Sequence, residues 1–105
     1  MKNITSYNDK NERHGYWVVY HLNGNIRYKG NWVNDKRTGY WEDYYSNGNL
    51  KSKEYYINNK KNGYSEIYYD NGNPSLKGNH INNKETGYWE IYNYDGNIIS
   101  KRFFI

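Results

Sequence analysis

Residues Gly39 to Asn62 read GYWEDYYSNGNLKSKEYYINNKKN, and close copies of this unit make up nearly the whole chain. The copies are GYWVVYHLNGNIRYKGNWVNDKRT from Gly15, GYSEIYYDNGNPSLKGNHINNKET from Gly63 and the shorter GYWEIYNYDGNIISKRFFI from Gly87. The starts at 15, 39, 63 and 87 stand 24 residues apart. A constant step of this size marks a repeat architecture, in which each unit buries its apolar surface only against its neighbours. Residues 1–14 end in NDKNERH, an echo of the NDKRT that precedes Gly39, and Ile4 to Tyr7 is β-prone. We read 1–14 as an N-terminal capping half-repeat and 15–105 as the repeat domain.

Each unit opens on an aromatic, β-prone segment, Tyr40 to Tyr45 in the second copy, followed by Asn47-Gly48. Asn-Gly is a strong hairpin signal, and it recurs as Asn23-Gly24, Asn71-Gly72 and Asp95-Gly96. A two-residue type I′ turn there sets Ser46 against Asn49, Tyr45 against Leu50, Tyr44 against Lys51, Asp43 against Ser52 and Glu42 against Lys53. The same arithmetic sets Glu66 against Lys77, Glu90 against Lys101 and Val18 against Lys29. A three-residue turn with a bulge is the alternative. The second connection, Asn58-Asn59-Lys60-Lys61-Asn62-Gly63 and its copies, is rich in residues that tolerate a tight reversal, so the hairpins join as a meander. The expected fold is all-β: one elongated, twisted antiparallel layer of about four hairpins.

Alternation sorts the side chains into two faces. Trp17, Trp41 and Trp89 fall on the more apolar face, as that layer's own filling, and Trp17 lies across from Gly30, where the missing side chain leaves room for an indole. Trp41 faces Glu54 and Trp89 faces Arg102, so that rule fails in two copies. The opposite face repeats a tyrosine row, Tyr20, Tyr44, Tyr68 and Tyr92, beside a lysine row, Lys29, Lys53, Lys77 and Lys101, and it also carries Tyr16, Tyr40, Arg27 and Lys51. These two rows are the candidate binding residues, because a single layer leaves one face wet and tyrosine favours interfaces. Pro74 falls in a strand expected to be central, where its missing N–H predicts a frayed or bulged third hairpin. Ser65, standing where the other copies have Trp, weakens the same copy. Ile98 to Ile105 either folds back or forms an open edge that pairs with a second chain as a homodimer.

Composition narrows the chemistry. No Cys is present, so disulfides and thiolate chemistry are excluded, and the apolar mass is aromatic, with 15 Tyr and 4 Trp among 105 residues. The net charge of +4 arises from 15 basic and 11 acidic residues, interleaved along the chain, which argues against a specific nucleic-acid groove. His14, His21 and His80 are scattered without metal-ligand spacing. Glu42, Glu66 and Glu90 recur opposite lysines, as pairing partners do; acid–base catalysis needs one asymmetric, desolvated pocket. No catalytic group, metal or cofactor is expected. The MKNITSYNDKNERH start lacks the apolar run of a secretory leader and no stretch approaches the ~20 apolar residues of a membrane helix. The expectation is a cytoplasmic protein, or one acting inside a host cell if viral.

The spacing Gly-Tyr-Trp, Tyr-Tyr, Asn-Gly-Asn, Lys-Gly and Asn-Lys before the next Gly resembles the MORN repeat, in the bacterial-type variant of proteins similar to the YwqK antitoxin family. The resemblance spans about residues 15 to 105; Ser65, Glu54, Arg102 and Pro74 depart from it. It implies successive β-hairpins and a role in binding or scaffolding without catalysis, with relatives linked to membrane scaffolds, phospholipid contact, dimerisation and toxin neutralisation. The reading that follows is a non-catalytic protein-interaction module acting through the Tyr/Lys face, of the kind that neutralises a toxin or host factor. The alternative is anionic phospholipid binding through the lysine row. A glycan- or choline-binding module comes third.

Overall fold

The computed structural model describes residues 2–105; Met1, the first residue of the expected cap, lies outside them. The strands are β1 (Gly15–Tyr20), β2 (Ile26–Val33), β3 (Lys36–Tyr44), β4 (Leu50–Ile57), β5 (Lys60–Lys61), β6 (Gly63–Tyr68), β7 (Pro74–Ile81), β8 (Lys84–Tyr92) and β9 (Ile98–Phe104). They form one antiparallel meander in the order β1-β2-β3-β4-β6-β7-β8-β9, with the short β5 paired to β4. The molecule measures 47 × 34 × 12 Å, and its least dimension is close to the ~10 Å that separates two packed sheets. There is no second layer among the described residues, so each face must supply its own packing.

At the Asn-Gly turns the alternative, a three-residue turn with a bulge, is the one adopted, and the two-residue type I′ turn appears at the second connection. At Asn47-Gly48 only the glycine is left-handed, with φ 93°; Gly48 N donates to Tyr45 O at 3.0 Å and Tyr45 N to Asn49 O at 2.9 Å. This is a three-residue loop ending on a left-handed glycine. The paired left-handed residues of a type I′ turn are instead Asn34-Asp35, Asn58-Asn59 and Asn82-Asn83, with φ between 48° and 70°. Asn and Asp tolerate this conformation better than other non-glycine residues.

The extra loop residue moves Tyr44 opposite Leu50, whereas Asp43 still pairs with Ser52 and Glu42 with Lys53. A bulge at Lys51 accounts for both. One extra residue in the turn and one in the returning strand cancel, so the expected register is wrong at the turn and right beyond it. The same slip recurs at Arg27, Ser75 and Ile99. Pro74 therefore starts β7 in the position that Leu50 takes in β4, and the third hairpin is no more frayed than the rest. The first residue of a strand is where proline is tolerated.

Trp17 does pair with Gly30, but the indole that uses the space is Trp41, from the next hairpin. A Cβ at Gly30 would collide with Trp41 Cδ2 and Cε2, and one at Gly78 with the same atoms of Trp89. Three residues, Gly39 to Trp41, are looped out opposite Gly30 between the Lys29–Glu42 and Asn31–Thr38 pairs. That bulge folds the indole back over β2, where Trp41 Nε1 donates to Asn31 O at 3.1 Å and Trp41 is 0% exposed. Trp89 repeats the bond to Asn79 O at 3.2 Å, and Trp17 makes its own to Ser6 O at 2.9 Å. The interlock thus joins each tryptophan to the glycine eleven residues before it, Gly30 with Trp41 and Gly78 with Trp89. At the middle joint the same two positions hold Glu54 and Ser65. The large group and the small one have changed places.

Successive repeats are also clamped at both ends. Asn23 and Asn25 both donate to Ser46 O, Asn47 and Asn49 to Asp70 O, and Asn71 and Asn73 to Tyr94 O, at 2.7–3.0 Å. Each Asn-Gly-Asn is thereby a two-pronged grip on the next turn. At the other end Asp35 N, Asn59 N and Asn83 N donate to Arg13 O, Arg37 O and Lys61 O. The N-terminal segment joins this scheme: Ile4 bridges Val18 of β1 through both backbone bonds. At the opposite end β9 pairs only with β8 and leaves Ile98, Ile99 and Phe103 exposed.

Candidate functional site: the tyrosine, glutamate and lysine face

The face opposite the tryptophans is a set of carboxylate-centred clusters. Glu42 in β3 accepts from Tyr44 OH at 2.7 Å and Tyr40 OH at 2.8 Å, and Lys29 Nζ lies 3.3 Å away. Tyr68 OH donates to Glu66 at 2.7 Å and Tyr92 OH to Glu90 at 2.8 Å. The geometry follows from the strand period, since residues i and i+2 share a face. Burial alone would raise the Glu42 carboxyl, but the Tyr44, Tyr40 and Lys29 contacts outweigh it and hold the pKa below the usual range. Burial and Glu42 together push the Tyr44 hydroxyl up, so it remains a donor.

The lysines do not pair as the hairpin register suggested. Lys53 lies opposite Glu42 in the ladder, yet its ammonium is 3.8 Å from Glu66, and Glu42 takes Lys29 of the preceding hairpin instead. Lys77 does reach Glu66, at 3.8 Å. Lys101, opposite Glu90 on the edge strand, makes no ion pair among the described residues. Of the expected tyrosine row, Tyr44, Tyr68 and Tyr92 are half-buried with tethered hydroxyls; Tyr20 is half-buried, its backbone N–H donating to Asn3. Arg27 and Lys51, assigned by simple alternation to this face, line a hollow on the other one, because the bulge turns them there.

Alongside runs a more exposed aromatic row that alternation had placed on this face but that was not singled out. Tyr16, Tyr40, Tyr64 and Tyr88 are 50%, 41%, 44% and 71% exposed. Tyr40 packs against Tyr55 with ring centroids 5.2 Å apart, and Tyr88 against Phe103 at 4.7 Å, both pairs tilted. Tyr64 and Tyr88 wall a hollow of about 390 Å³ whose floor is the bare backbone of Gly78, with Lys77, Glu90 and Lys101 around it. The signal was present in the repeat: these tyrosines are the ones that follow each unit's first glycine.

A family model described as the MORN repeat variant matches residues 13–34, 37–58 and 61–82, well over half of the chain. The chain belongs to the MORN repeat variant family. The matched segments begin two residues before the glycines at 15, 39 and 63, and the fourth copy lies outside them. No curated protein sequence matches the chain. MORN repeats generally take part in protein or membrane binding and are typically not enzymes. No helix is long and apolar enough to cross a membrane among the described residues.

The MORN sheet also buries one polar cluster, at the exchanged pair. Ser65 Oγ lies 3.3 Å from Glu54 Oε2 and 3.0 Å from His80 Nδ1, and Lys61 Nζ is 3.0 Å from Glu54. Ser65 is 1% exposed, so its hydroxyl is closed to any substrate and the arrangement is packing. Burial pushes the His80 imidazole below its usual range; Lys61 acts in the same direction, while Glu54 and Glu85 oppose it. The unfolded chain then binds a proton at a pH where folded His80 does not, so stability rises with pH across that window. Its full contribution is present above about pH 6.5, the ordinary imidazole value, and is lost on acidification below it. His80→Phe, which installs the residue found at the equivalent Phe104, should flatten this fall. Urea midpoints that drop equally in both proteins between about pH 7 and 5.5 would refute the assignment.

Proposed function

We propose that this MORN chain is a non-catalytic binding module whose Tyr/Glu/Lys face receives a protein partner, in the manner of an antitoxin or a host-factor neutraliser. The observation that carries this reading is a double row: half-buried Tyr44, Tyr68 and Tyr92, fixed by hydroxyl bonds to Glu42, Glu66 and Glu90, run alongside the more exposed Tyr16, Tyr40, Tyr64 and Tyr88. Ordering such side chains costs about 0.5–1.5 kcal/mol each on binding, and here the fold has already ordered them. Pairing of Lys29, Lys53 and Lys77 with carboxylates leaves less free charge for a lipid surface. The same reading assigns the free edge of β9 to a second copy of the chain.

The test is capture of partners by the chain and by a Tyr40→Ala/Tyr64→Ala/Tyr88→Ala variant, with light scattering of each preparation to count chains. Loss of a partner in the variant, at an unchanged unfolding midpoint, supports the face as the site. Full retention counts against it. Salt-sensitive co-sedimentation with anionic vesicles that is abolished by Lys29→Glu, Lys53→Glu and Lys77→Glu would instead favour the lipid reading.

A further inference from the structure

The tryptophan face holds a hollow of about 670 Å³, and its lining is far more charged than packing of a sheet face requires. His21, Arg27, Arg37 and Lys51 meet there with Asp43 and Glu54, drawn from the first two hairpins. The carboxylates are already engaged: Arg37 lies 3.5 Å from Asp43, and Glu54 is held by Lys61 at 3.0 Å. Arg27 and Lys51 make no ion pair among the described residues. Both are bulge residues, brought to this face by the slip that follows each turn. Arg37 lies over the Trp41 ring, 4.2 Å from its centroid, and is also held by Asp43, so its position is set before any ligand arrives.

Arg27 and Lys51 hold the same repeat position, and Arg37 shares its own with Arg13 and Lys61, so the charge recurs through the first half of the chain. It is not demanded by the strands: two units on, the counterparts of Arg27, Arg37 and Lys51 are Ser75, Glu85 and Ile99, in strands that form equally well. A cationic hollow confined to the first two hairpins is a feature that folding does not explain. We propose that this hollow is a binding site for a phosphate monoester, with Arg27, Lys51 and Arg37 taking the phosphoryl oxygens. Guanidinium and ammonium donors make strong charge-assisted bonds to phosphate, and two arginines favour bidentate contact. Tyr28, whose ring lies 5.6 Å from that of Trp41, forms a flat wall for the organic part. Tyr44 of the protein-binding row also borders the hollow, but the cationic donors lie on the opposite face, and the two proposals are tested by different residues.

The experiment titrates the ¹⁵N-labelled full chain with inorganic pyrophosphate at low salt, where charge contacts are least screened. Saturable shifts confined to the Arg27, Arg37 and Lys51 region are expected. Arg27→Ser/Lys51→Ser, which installs the third repeat's own residue, should weaken binding by about tenfold or more, whereas Lys53→Ser/Lys77→Ser on the other face should change it less than about twofold. Matched unfolding midpoints confirm that both variants fold. Vesicles carrying phosphatidic acid identify the source of the ester: co-sedimentation that pyrophosphate competes away points to a lipid headgroup, and pyrophosphate binding without co-sedimentation to a soluble ester. Non-saturating shifts on both faces, equal losses in the two variants, or vesicle binding indifferent to Arg27 and Lys51 would overturn the proposal.

Discussion

Replacing Trp41 by alanine should lower the unfolding free energy by about 3–5 kcal/mol, the range for deleting a large aromatic from a packed core. For a chain of this size the whole stability is roughly 5–15 kcal/mol, so the variant should be partly unfolded near physiological temperature. Three features set the size of the effect. Trp41 is the one fully buried indole; it sits edge-on to Trp32 at 5.1 Å, close to Tyr28 and Tyr56; and its Nε1 hydrogen bonds to Asn31 O and Thr38 O. In a one-layer sheet nothing lies above the cavity to collapse into it. Denaturant titration followed by far-ultraviolet circular dichroism measures the loss. A decrease below about 1 kcal/mol would show that the tryptophans are peripheral to stability.

The second large effect is expected where the repeat breaks its own rule. Ser65→Trp looks like a repair, since it restores the consensus residue, yet it should destabilise the chain by about 2–4 kcal/mol. The space that Gly30 and Gly78 leave for the other indoles is filled here by Glu54, 5% exposed and bonded to Lys61 and Ser65. A new indole must either overpack the site or expel a carboxylate and leave Lys61 without its partner. The joint is also interrupted. Ser52–Ile67 and Lys53–Glu66 pair β4 with β6 and Tyr56–Lys61 and Ile57–Lys60 pair it with β5, but the strand breaks at Asn62, where β3 and β8 run through Thr38 and Thr86. The two aromatic groups, around Trp41 and around Trp89, meet across this polar seam.

Much of this architecture was legible in the period. The meander, the two faces, the Asp43–Ser52 and Glu42–Lys53 register and the edge at β9 all follow from the 24-residue step and alternation. What was misread concerns relations between repeats or compensating irregularities. Sequence left two readings of the turn open because Asn-Gly satisfies both a primed turn and a loop ending on a left-handed glycine; only the hydrogen bonds of Tyr45 and Gly48 decide. The bulge at Lys51, foreseen as the alternative, cancels the extra turn residue, so the pairs beyond it are the same in both readings. Glu42 was assigned to Lys53 by pairing within the hairpin, whereas a long ammonium reaches equally well to either neighbouring strand, and Lys29 lies opposite Glu42 on the other side.

The coupling of Glu54 with Ser65 was visible in principle. Both departures stand out in the alignment of the copies, eleven residues apart, the same separation as Gly30 from Trp41. Seeing it required knowing that each tryptophan serves the hairpin before its own. For the candidate site, the tyrosine and glutamate rows could be read from alternation, but the degree of exposure that distinguishes Tyr88 from Tyr92 could not, because alternation fixes only the face on which a ring lies. The cationic hollow was missed outright, since it depends on bulges that send Arg27 and Lys51 to the unexpected face.

These relations reduce to one claim, that size complementarity between each repeat and the next holds the single layer together, leaving the opposite face free to bind. A double-mutant cycle on Glu54→Gly and Ser65→Trp measures it most directly. Each single change should destabilise, Glu54→Gly by about 1–3 kcal/mol through the loss of a buried, paired group. The double variant recreates the Gly30–Trp41 pair and should return to within about 1 kcal/mol of the parent, a coupling energy of about 3 kcal/mol. Losses that simply add, to within about 0.5 kcal/mol, would mean that the two positions do not sense each other and would contradict the account.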